Sequence, residues 1–231
     1  MPPTPPGAST GGMVVDTSAG TPSIIASRWE AVASRAYDAV LSLGERRGMA
    51  ARRSALLSAA NGTVLEIGAG TGLNLSAFPS VDRLILSEPS PQMRLRLDRR
   101  VARSGRVAEV VDAAAASLPV ETGSVDTVVS TLVLCTVPDP DAALAEVSRV
   151  LRPGGRLLFL EHVRAPAGSR EAWWQDRFVK QWEAFALGCR CDRDLVAVVG
   201  RHLTIDTVHE DTWRGMPPVV RPLVLGSAHR P

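Results

Sequence analysis

Five short runs rich in β-forming residues recur along the middle of the chain, and stretches with helical spacing separate them. The runs are TVLEI at 63–67, RLILSE at 83–88, RVAEVVD at 106–112, SVDTVVST at 124–131 and RLLFLEHV at 156–163. Because parallel strands need crossover connections, this alternation predicts an α/β fold with a doubly wound, mostly parallel sheet and helices on both faces. A further helix after about residue 192 and strands near 204–209 and 222–228 would bring the sheet to seven strands.

Helix boundaries follow from capping residues. Ser90 before Pro91 and Asp139 before Pro140 each place an N-cap side chain ahead of a proline suited to the first helical position. RPGG at 152–155 predicts a turn that ends the second of these helices.

The chain divides into three parts. Residues 1–22, beginning MPPTPPGASTGG, are expected to form a disordered tail because they cannot bury an apolar core. Residues 23–60 are expected to form two amphipathic capping helices, broken near Gly44 and Gly48, and residues 61–231 the α/β domain.

The composition gives no indication of a nucleic-acid or membrane partner. With 45% hydrophobic residues and a net charge of +2, nothing in the chain demands a nucleic acid or an anionic membrane. Arginine runs such as Arg46, Arg47, Arg52 and Arg53 are interpreted as a solvated helix face.

Cysteine usage and hydropathy indicate a cytoplasmic protein without a stable membrane anchor. The three cysteines form neither an even disulfide framework nor a paired metal motif, and Cys189 with Cys191 alone would make a poor site, so no metal is expected. No run approaches the roughly 18 apolar residues of a membrane span.

A glycine-rich turn follows the first strand. Gly68, Gly70 and Gly72 allow a ligand to approach the backbone where the next helix is expected to begin, around Leu73 and Asn74. An NAD-dependent oxidoreductase is one interpretation, but Leu73 occupies the position of the third glycine of the dinucleotide fingerprint.

Two carboxylates restrict the kind of ligand that the glycine turn could bind. Glu88 ends the second strand, where it can accept hydrogen bonds from both hydroxyls of a ribose. Glu66 lies inside an apolar strand, where its charge needs a cationic or amide partner. A ligand with an adenosine, an ammonium and a carboxylate would use the whole set, as S-adenosyl-L-methionine would.

Several motifs carry a family resemblance. VLEIGAGTG, LSEPS, GSVDTVV and VSRVLRPGGRLLFLEH together resemble the Rossmann-like class I S-adenosylmethionine-dependent methyltransferases. STLVLCTVPDPDAALAEVSRVLRPGGRLLFLEHV followed by WWQDRFVKQWEAFALGC is similar to the methyltransferase-like thiol S-methyltransferases and their bacterial relatives. The resemblance covers residues 61 to about 193, within the methyltransferase domain that it implies for residues 61–231.

The resemblance implies a cofactor site whose product form is S-adenosyl-L-homocysteine. The residues that it places against the cofactor are Glu66, Gly68, Ala69, Gly70, Asn74, Glu88, Pro89, Ala114, Ala115, Thr131 and Leu132. Two departures stand out. Ala114 replaces an acid that many class I enzymes use for the adenine amino group, so the backbone of Ala114 and Ala115 or the Asp112 side chain would serve instead. The eukaryotic thiol enzymes also carry an N-terminal membrane anchor, which is not expected for this chain.

Methyl transfer from a sulfonium depends mainly on alignment and exclusion of water. A thiol supplies its own thiolate, whereas a hydroxyl needs a base, for which His162 is the candidate. The competing interpretation makes His162 a histidine that orients a loop, with Glu161 either orienting the imidazole or facing solvent.

The expected substrate pocket contains Cys135, His162 and Trp173, although Cys135 also suits a small buried hydrophobic position. Trp174, Phe178, Trp182 and Phe185 recur at helical spacing and are expected to pack onto the sheet.

The functional hypothesis is methyl transfer to a small molecule by a monomer or homodimer, with a thiol as the favoured acceptor. The alternatives are O- or N-methylation of a small metabolite, quinone or lipid precursor, the oxidoreductase, and a catalytically silent cofactor-binding domain. RAYDAVLSLGE at 35–45 resembles the N-terminal helices of bacterial lipid and quinone methyltransferases and keeps the lipid alternative open.

Overall fold

A seven-stranded sheet organises the part of the chain that the computed structural model describes, residues 44–186 and 188–231. Its strands are β1 (Thr63–Ile67), β2 (Arg83–Ser87), β3 (Glu109–Val111), β4 (Val125–Thr131), β5 (Leu151–His162), β6 (Thr204–Thr212) and β7 (Pro222–His229). Their order is β3-β2-β1-β4-β5-β7-β6, parallel from β3 to β5 and antiparallel at β7 and β6. The predicted doubly wound, mostly parallel sheet is confirmed.

Five α-helices belong to the described residues: α1 (Ala50–Leu57), α2 (Pro91–Ser104), α3 (Pro140–Val150), α4 (Arg170–Phe185) and α5 (Leu195–His202). Two short helical turns, Glu45–Met49 and Pro218–Val220, accompany them. Both predicted caps are confirmed, since the Ser90 hydroxyl accepts from the N–H of Met93 at 3.5 Å and the Asp139 carboxylate from that of Ala142 at 3.0 Å. Within this part of the chain every helix is too short or too polar to cross a bilayer.

The N-terminal segment is described only from Gly44 onward. The expected tail and most of the first capping helix lie outside the described residues, and the domain boundaries stay predictions. The expected break is present at Gly48, whose φ of 105° interrupts the helical turn Glu45–Met49 ahead of α1. Met49 then packs with Leu160 and Trp213, which fixes α1 against the sheet.

The segment after β1 differs from the expected helix. Backbone bonds join Gly72 N to Ala69 O (2.9 Å), Leu75 N to Gly72 O (3.2 Å) and Ala77 N to Asn74 O (2.8 Å), so the chain makes successive four-residue turns instead of an α-helix. The reason lies in the glycines, because Gly68, Gly70 and Gly72 all have φ between 57° and 82°, outside the right-handed helical region.

RPGG at 152–155 belongs to β5, although a turn was expected there. Leu151 already pairs with Val125, and the next pair is Arg156 with Thr127, so residues 152–155 form a bulge at the start of the strand. The backbone oxygens of Arg152 and Val125 would lie 2.9 and 3.1 Å from a Cβ at Gly155, which leaves room only for glycine.

Of the four aromatic residues of α4, Trp182 packs against the hydrophobic core as expected, whereas Trp174, Phe178 and Phe185 do not. The buried residues of this helix are Ala172 and Gln175, and Gln175 hydrogen-bonds to the backbone of Val163 and Cys191. Trp174 and Phe178 stack on each other at the half-buried surface with ring centroids 4.9 Å apart, while Phe185 is 62% exposed. The prediction was wrong for these three residues because the buried side of the helix is formed by Ala172 and Gln175, and the spacing of the aromatic residues does not reveal a small and a polar residue in that position.

Strand order reverses between the neighbouring strands β1 and β4. The connections that follow β1 and β4 cross to opposite faces of the sheet. The loops at the carboxyl ends of these two strands therefore separate, and a crevice opens between them. The glycine turn, Glu88 and Thr131 all lie at these carboxyl ends.

Candidate active site

A crevice of about 370 Å³ opens beyond the ends of β1, β2 and β4, within the size range of small-molecule sites. Seven of the residues assigned to the cofactor by resemblance line it: Gly68, Gly70, Glu88, Pro89, Ala114, Ala115 and Leu132. The opposite side is a wall that we call the apolar wall, formed by Leu132, Val133, Thr136, Val137, Pro138 and Ala186.

Glu88 is held at the crevice by backbone donors. Its Oε2 accepts from the N–H of Gly70 and its Oε1 from that of Ser90, each at 2.8 Å. Burial raises the pKa of Glu88, and these two N–H groups oppose that rise. Each carboxylate oxygen can accept a second hydrogen bond, so Glu88 presents two fixed acceptors to a ligand.

Asp112 has a partner of its own. Arg94 donates to both oxygens of Asp112, at 2.6 and 2.7 Å, and also to the carbonyls of Glu88 and Pro89. These bonds stabilise the end of β2, and they leave the Asp112 carboxylate paired with Arg94. Of the residues considered for the adenine amino group, Ala114 and Ala115 line the crevice and Asp112 does not.

Glu66 is buried in β1 with half of its carboxylate unsatisfied. Its Oε1 accepts from the Asn74 side-chain amide at 2.7 Å, whereas its buried Oε2 has no hydrogen-bond partner. Burial is the main reason why the pKa of Glu66 rises to about 7. The expected amide partner is therefore present, and one acceptor remains free for a donor such as an ammonium.

Arg53 is a site residue that the sequence interpretation missed. It is 5% exposed, and its Nη1 donates to Oδ1 of Asn74 and Oγ1 of Thr131, both at 2.9 Å. A cavity of about 20 Å³ beside these groups has room for one water.

The expectation of a solvated arginine face is wrong for Arg53, and also for Arg52, which pairs with Asp211 at 2.5 Å. A signal existed in the sequence, because Arg53 lies four residues from each of the fully buried Met49 and Leu57.

In charge and hydrogen bonding these groups match the amino-acid end of S-adenosyl-L-methionine, and since the cavity beside them has room for one water, the ligand would reach them through that water. The free Oε2 of Glu66 suits its ammonium and the Arg53 guanidinium suits its carboxylate. Gly70 leaves open space, since the nearest atom to an added Cβ is 4.0 Å away, so a ligand can pass over the turn.

His162 lies outside the crevice, contrary to the base expected at its rim. The imidazole is buried and stacks on Trp213 with ring centroids 5.8 Å apart, facing the backbone carbonyls of Pro222 and Val220. Burial lowers its pKa to about 4, so it remains neutral. Glu161 neither orients this ring nor faces solvent, because its carboxylate bonds to Ser130 and to the backbone after β4.

Cys135 and Trp173 are likewise absent from the crevice lining. The Cys135 sulfur is buried 3.8 Å from that of Cys189, and this contact together with burial raises the Cys135 pKa well above its usual value. Trp173 is 55% exposed and contacts Trp174 and Phe178 on the outer surface of α4. Spacing alone could not place Trp173, because the rotation of α4 about its axis decides which residues face inward. It could not place Cys135 either, because this residue lies in the loop after β4 and its position depends on contacts with the distant Glu161 and Cys189.

Within residues 44–186 and 188–231, no group of three or more His, Cys, Asp or Glu side chains is arranged to hold a metal ion.

Comparison with known proteins identifies the family. A family model described as a methyltransferase domain matches residues 65–159. The Homo sapiens thiol S-methyltransferase TMT1B is 36% identical over 167 residues, 68% of either chain. The Homo sapiens thiol S-methyltransferase TMT1A is 37% identical over 135 residues, 57% of this chain and 55% of that one.

The fold has solved counterparts. A Thermotoga maritima SAM-dependent methyltransferase, described as a possible histamine N-methyltransferase, superposes with a TM-score of 0.63 and 19% identity. The match covers 88% of this chain and 99% of that one, and at this identity it supports the fold alone. From the sequence comparisons and the fold together, this chain belongs to the S-adenosylmethionine-dependent methyltransferases.

Proposed function

We propose that the chain transfers the methyl group of S-adenosyl-L-methionine to a small apolar thiol. The observation that carries this proposal is the chemistry of the crevice lining. Among the described lining residues Glu88 is the one titratable side chain, and the opposite side is the apolar wall. The names of the relatives at 36 and 37% identity favour the same acceptor.

A thiol suits a site without a base. With a pKa near 8.5, a thiol is a few per cent thiolate at neutral pH, and a cation nearby raises that fraction. A hydroxyl acceptor would need a general base, and the only candidate from the sequence, His162, is buried elsewhere. The apolar wall excludes water from the reacting atoms and provides contact area for an apolar thiol.

The cofactor supplies an electrophilic methyl group on a sulfonium with a good leaving group. In the proposed assignment Glu88 accepts from the ribose hydroxyls, and Pro89, Ala114 and Ala115 surround the adenine. At the other end Glu66 would bind the ammonium and Arg53 the carboxylate, through water in the small cavity that both residues line.

Asn74 and Thr131 fix the two charged groups of this end, since Asn74 bonds to both Glu66 and Arg53. Ala69 belongs to the backbone under the same end, because its N–H is tied to the carbonyl of Ser87. Leu132 lies where the cofactor region meets the apolar wall. The acceptor would react as a thiolate that has already released its proton to water, and the cofactor would leave as the neutral thioether S-adenosyl-L-homocysteine once its methyl group has passed to the acceptor sulfur.

The deciding experiment uses the purified full chain with methyl-labelled cofactor and acceptors of matched size, thiophenol, phenol and aniline. We expect thiophenol to be methylated at least about tenfold faster, because it alone ionises without a base. Faster labelling of phenol or aniline contradicts the proposed acceptor. S-adenosyl-L-homocysteine binding without labelling of any acceptor would instead indicate a silent cofactor-binding domain.

We also propose a cytoplasmic protein without a stable membrane anchor, acting as a monomer or homodimer. An odd number of cysteines without paired spacing supports a reducing compartment. Cell fractionation and light scattering of the purified chain test these points.

A further inference from the structure

Glu161 forms an unusual set of contacts behind the crevice. Its fully buried carboxylate, at the end of β5, accepts four hydrogen bonds. Oε1 accepts from the Ser130 hydroxyl at 2.6 Å and from the N–H groups of Val133 and Leu134 at 3.0 and 3.1 Å. Oε2 accepts from the N–H of Cys135 at 3.2 Å.

Three consecutive backbone N–H groups therefore converge on one side chain from a neighbouring strand. Burial raises the pKa of Glu161, and all four donors oppose that rise because they stabilise the charged form. An ionised carboxylate only accepts hydrogen bonds, so it matches these four donors. An apolar residue in its place would leave all four without an acceptor.

The backbone that Glu161 holds is the start of the apolar wall. Leu132, with a φ of 61°, is the one non-glycine residue with positive φ among the described residues, a conformation that costs about 1 kcal/mol and needs support. Val133 then packs over the glycine turn, since its methyl carbons would lie 2.7 and 2.8 Å from a Cβ at Gly68. Thr136, Val137 and Pro138 continue the wall from the same loop.

We propose that Glu161 is a positioning residue, whose carboxylate fixes residues 132–135 and thereby holds the apolar wall at the distance that aligns the acceptor. Glu161 does not line the crevice and touches no substrate. It acts through the backbone of Val133, Leu134 and Cys135. The kinetic part of this proposal rests on the proposed function, whereas its structural part does not.

The first test measures amide hydrogen exchange by NMR on the full chain. In Glu161→Ala we expect the amides of Val133, Leu134 and Cys135 to exchange at least about tenfold faster, because their acceptor is gone. In Glu161→Gln the carbonyl oxygen can replace Oε1, so Val133 and Leu134 should stay protected while Cys135 alone loses protection. Ser130→Ala is the matched control, since it removes one bond to Glu161 and leaves all three amides paired.

The second test separates positioning from stability. For Glu161→Ala we expect the KM for the thiol to rise about tenfold or more at a temperature where the variant is folded, while the affinity for S-adenosyl-L-homocysteine changes less than about threefold. Glu161→Gln should recover most of the loss. A lower melting temperature with unchanged KM would show a purely structural role and overturn the proposal.

Unchanged exchange of the three amides in folded Glu161→Gln and Glu161→Ala would also overturn it. If Glu161→Ala does not fold, Glu161→Gln decides alone through the Cys135 amide. If the unaltered chain methylates no thiol, the proposed function fails, but the exchange experiment still decides whether Glu161 holds the loop.

Discussion

The backbone N–H of Gly70 donates to Oε2 of Glu88 over 2.8 Å and so joins the turn after β1 to the end of β2. Two elements that both contact the cofactor in the proposed assignment are thereby fixed relative to each other without a ligand. Such preorganisation reduces the entropy lost on binding. The same principle holds at the other end of the crevice, where Asn74 joins Glu66 to Arg53.

Glu88→Ala should weaken binding of S-adenosyl-L-homocysteine by about 1 to 3 kcal/mol, the usual loss when hydrogen bonds to a charged group disappear. Isothermal titration calorimetry measures this directly. Glu109→Ala is the control, because Glu109 is an exposed carboxylate at β3 that pairs with Arg83 on the surface. Equal affinities for the unaltered chain and Glu88→Ala would remove the ribose assignment.

Arg53→Met should weaken binding of S-adenosyl-L-homocysteine by about 1.5 to 3 kcal/mol, because a buried guanidinium no longer meets the ligand carboxylate. The matched ligand is 5′-methylthioadenosine, which lacks the amino-acid end. Its affinity should change little. A similar loss for both ligands in the same titration would mean that Arg53 supports the fold rather than the carboxylate.

Glu66→Gln should change how stability depends on pH. Burial raises the pKa of Glu66 from 4.5 to about 7 in the folded chain, so the folded state binds more protons than the unfolded state between these values. Its free energy of unfolding therefore falls as the pH rises from about 4.5 to about 7. The neutral amide removes this dependence.

Urea unfolding at pH 5 and pH 8 tests that prediction. Glu66→Gln should be more stable than the unaltered chain by roughly 1 to 3 kcal/mol at pH 8, with little difference at pH 5. Glu121→Gln, at an exposed position, serves as the control. A difference of the same size at both pH values would argue against a raised pKa.

His162→Phe should lower the free energy of unfolding by about 1 to 3 kcal/mol, because the ring loses its contacts with the carbonyls of Pro222 and Val220 while keeping the stack on Trp213. At temperatures where it is folded, kcat for a thiol should change less than about threefold, since no proton passes through the imidazole. Thermal melts and a rate profile from pH 6 to pH 9 supply the two measurements. A hundredfold loss of kcat would restore His162 as a base.

Gly68→Ala should destabilise the chain more than Gly70→Ala, by about 1 to 3 kcal/mol. The two glycines have nearly the same φ, 57° and 58°, so the conformational cost of alanine is matched. Only at Gly68 would the new methyl collide with Val133, at 2.7 Å. Chemical denaturation compares the two variants, and equal stabilities would show that Val133 can move away.

The sequence predicted the elements that depend on neighbouring residues. The caps at Ser90 and Asp139 are confirmed because a side chain and the amide three residues later decide them. The need of Glu66 for a partner could be predicted because burying an unpaired carboxylate costs free energy wherever its strand lies in the sheet. The turn after β1 was misjudged as a helix because three left-handed glycines outweigh the helical tendency of the residues between them.

What the sequence determined by itself was the alternation of strand and helix, the reversal that opens a crevice, and the glycine turn with its two carboxylates, since all of these follow from local periodicity and chain connectivity. Only the tertiary structure decided that Arg53 meets Thr131 across 78 residues, that Glu161 bonds to the loop after β4, and that His162 points away from the crevice. These outcomes depend on how helices rotate and strands align in the packed molecule. The spacing of residues along the chain does not predict contacts between residues so far apart in sequence.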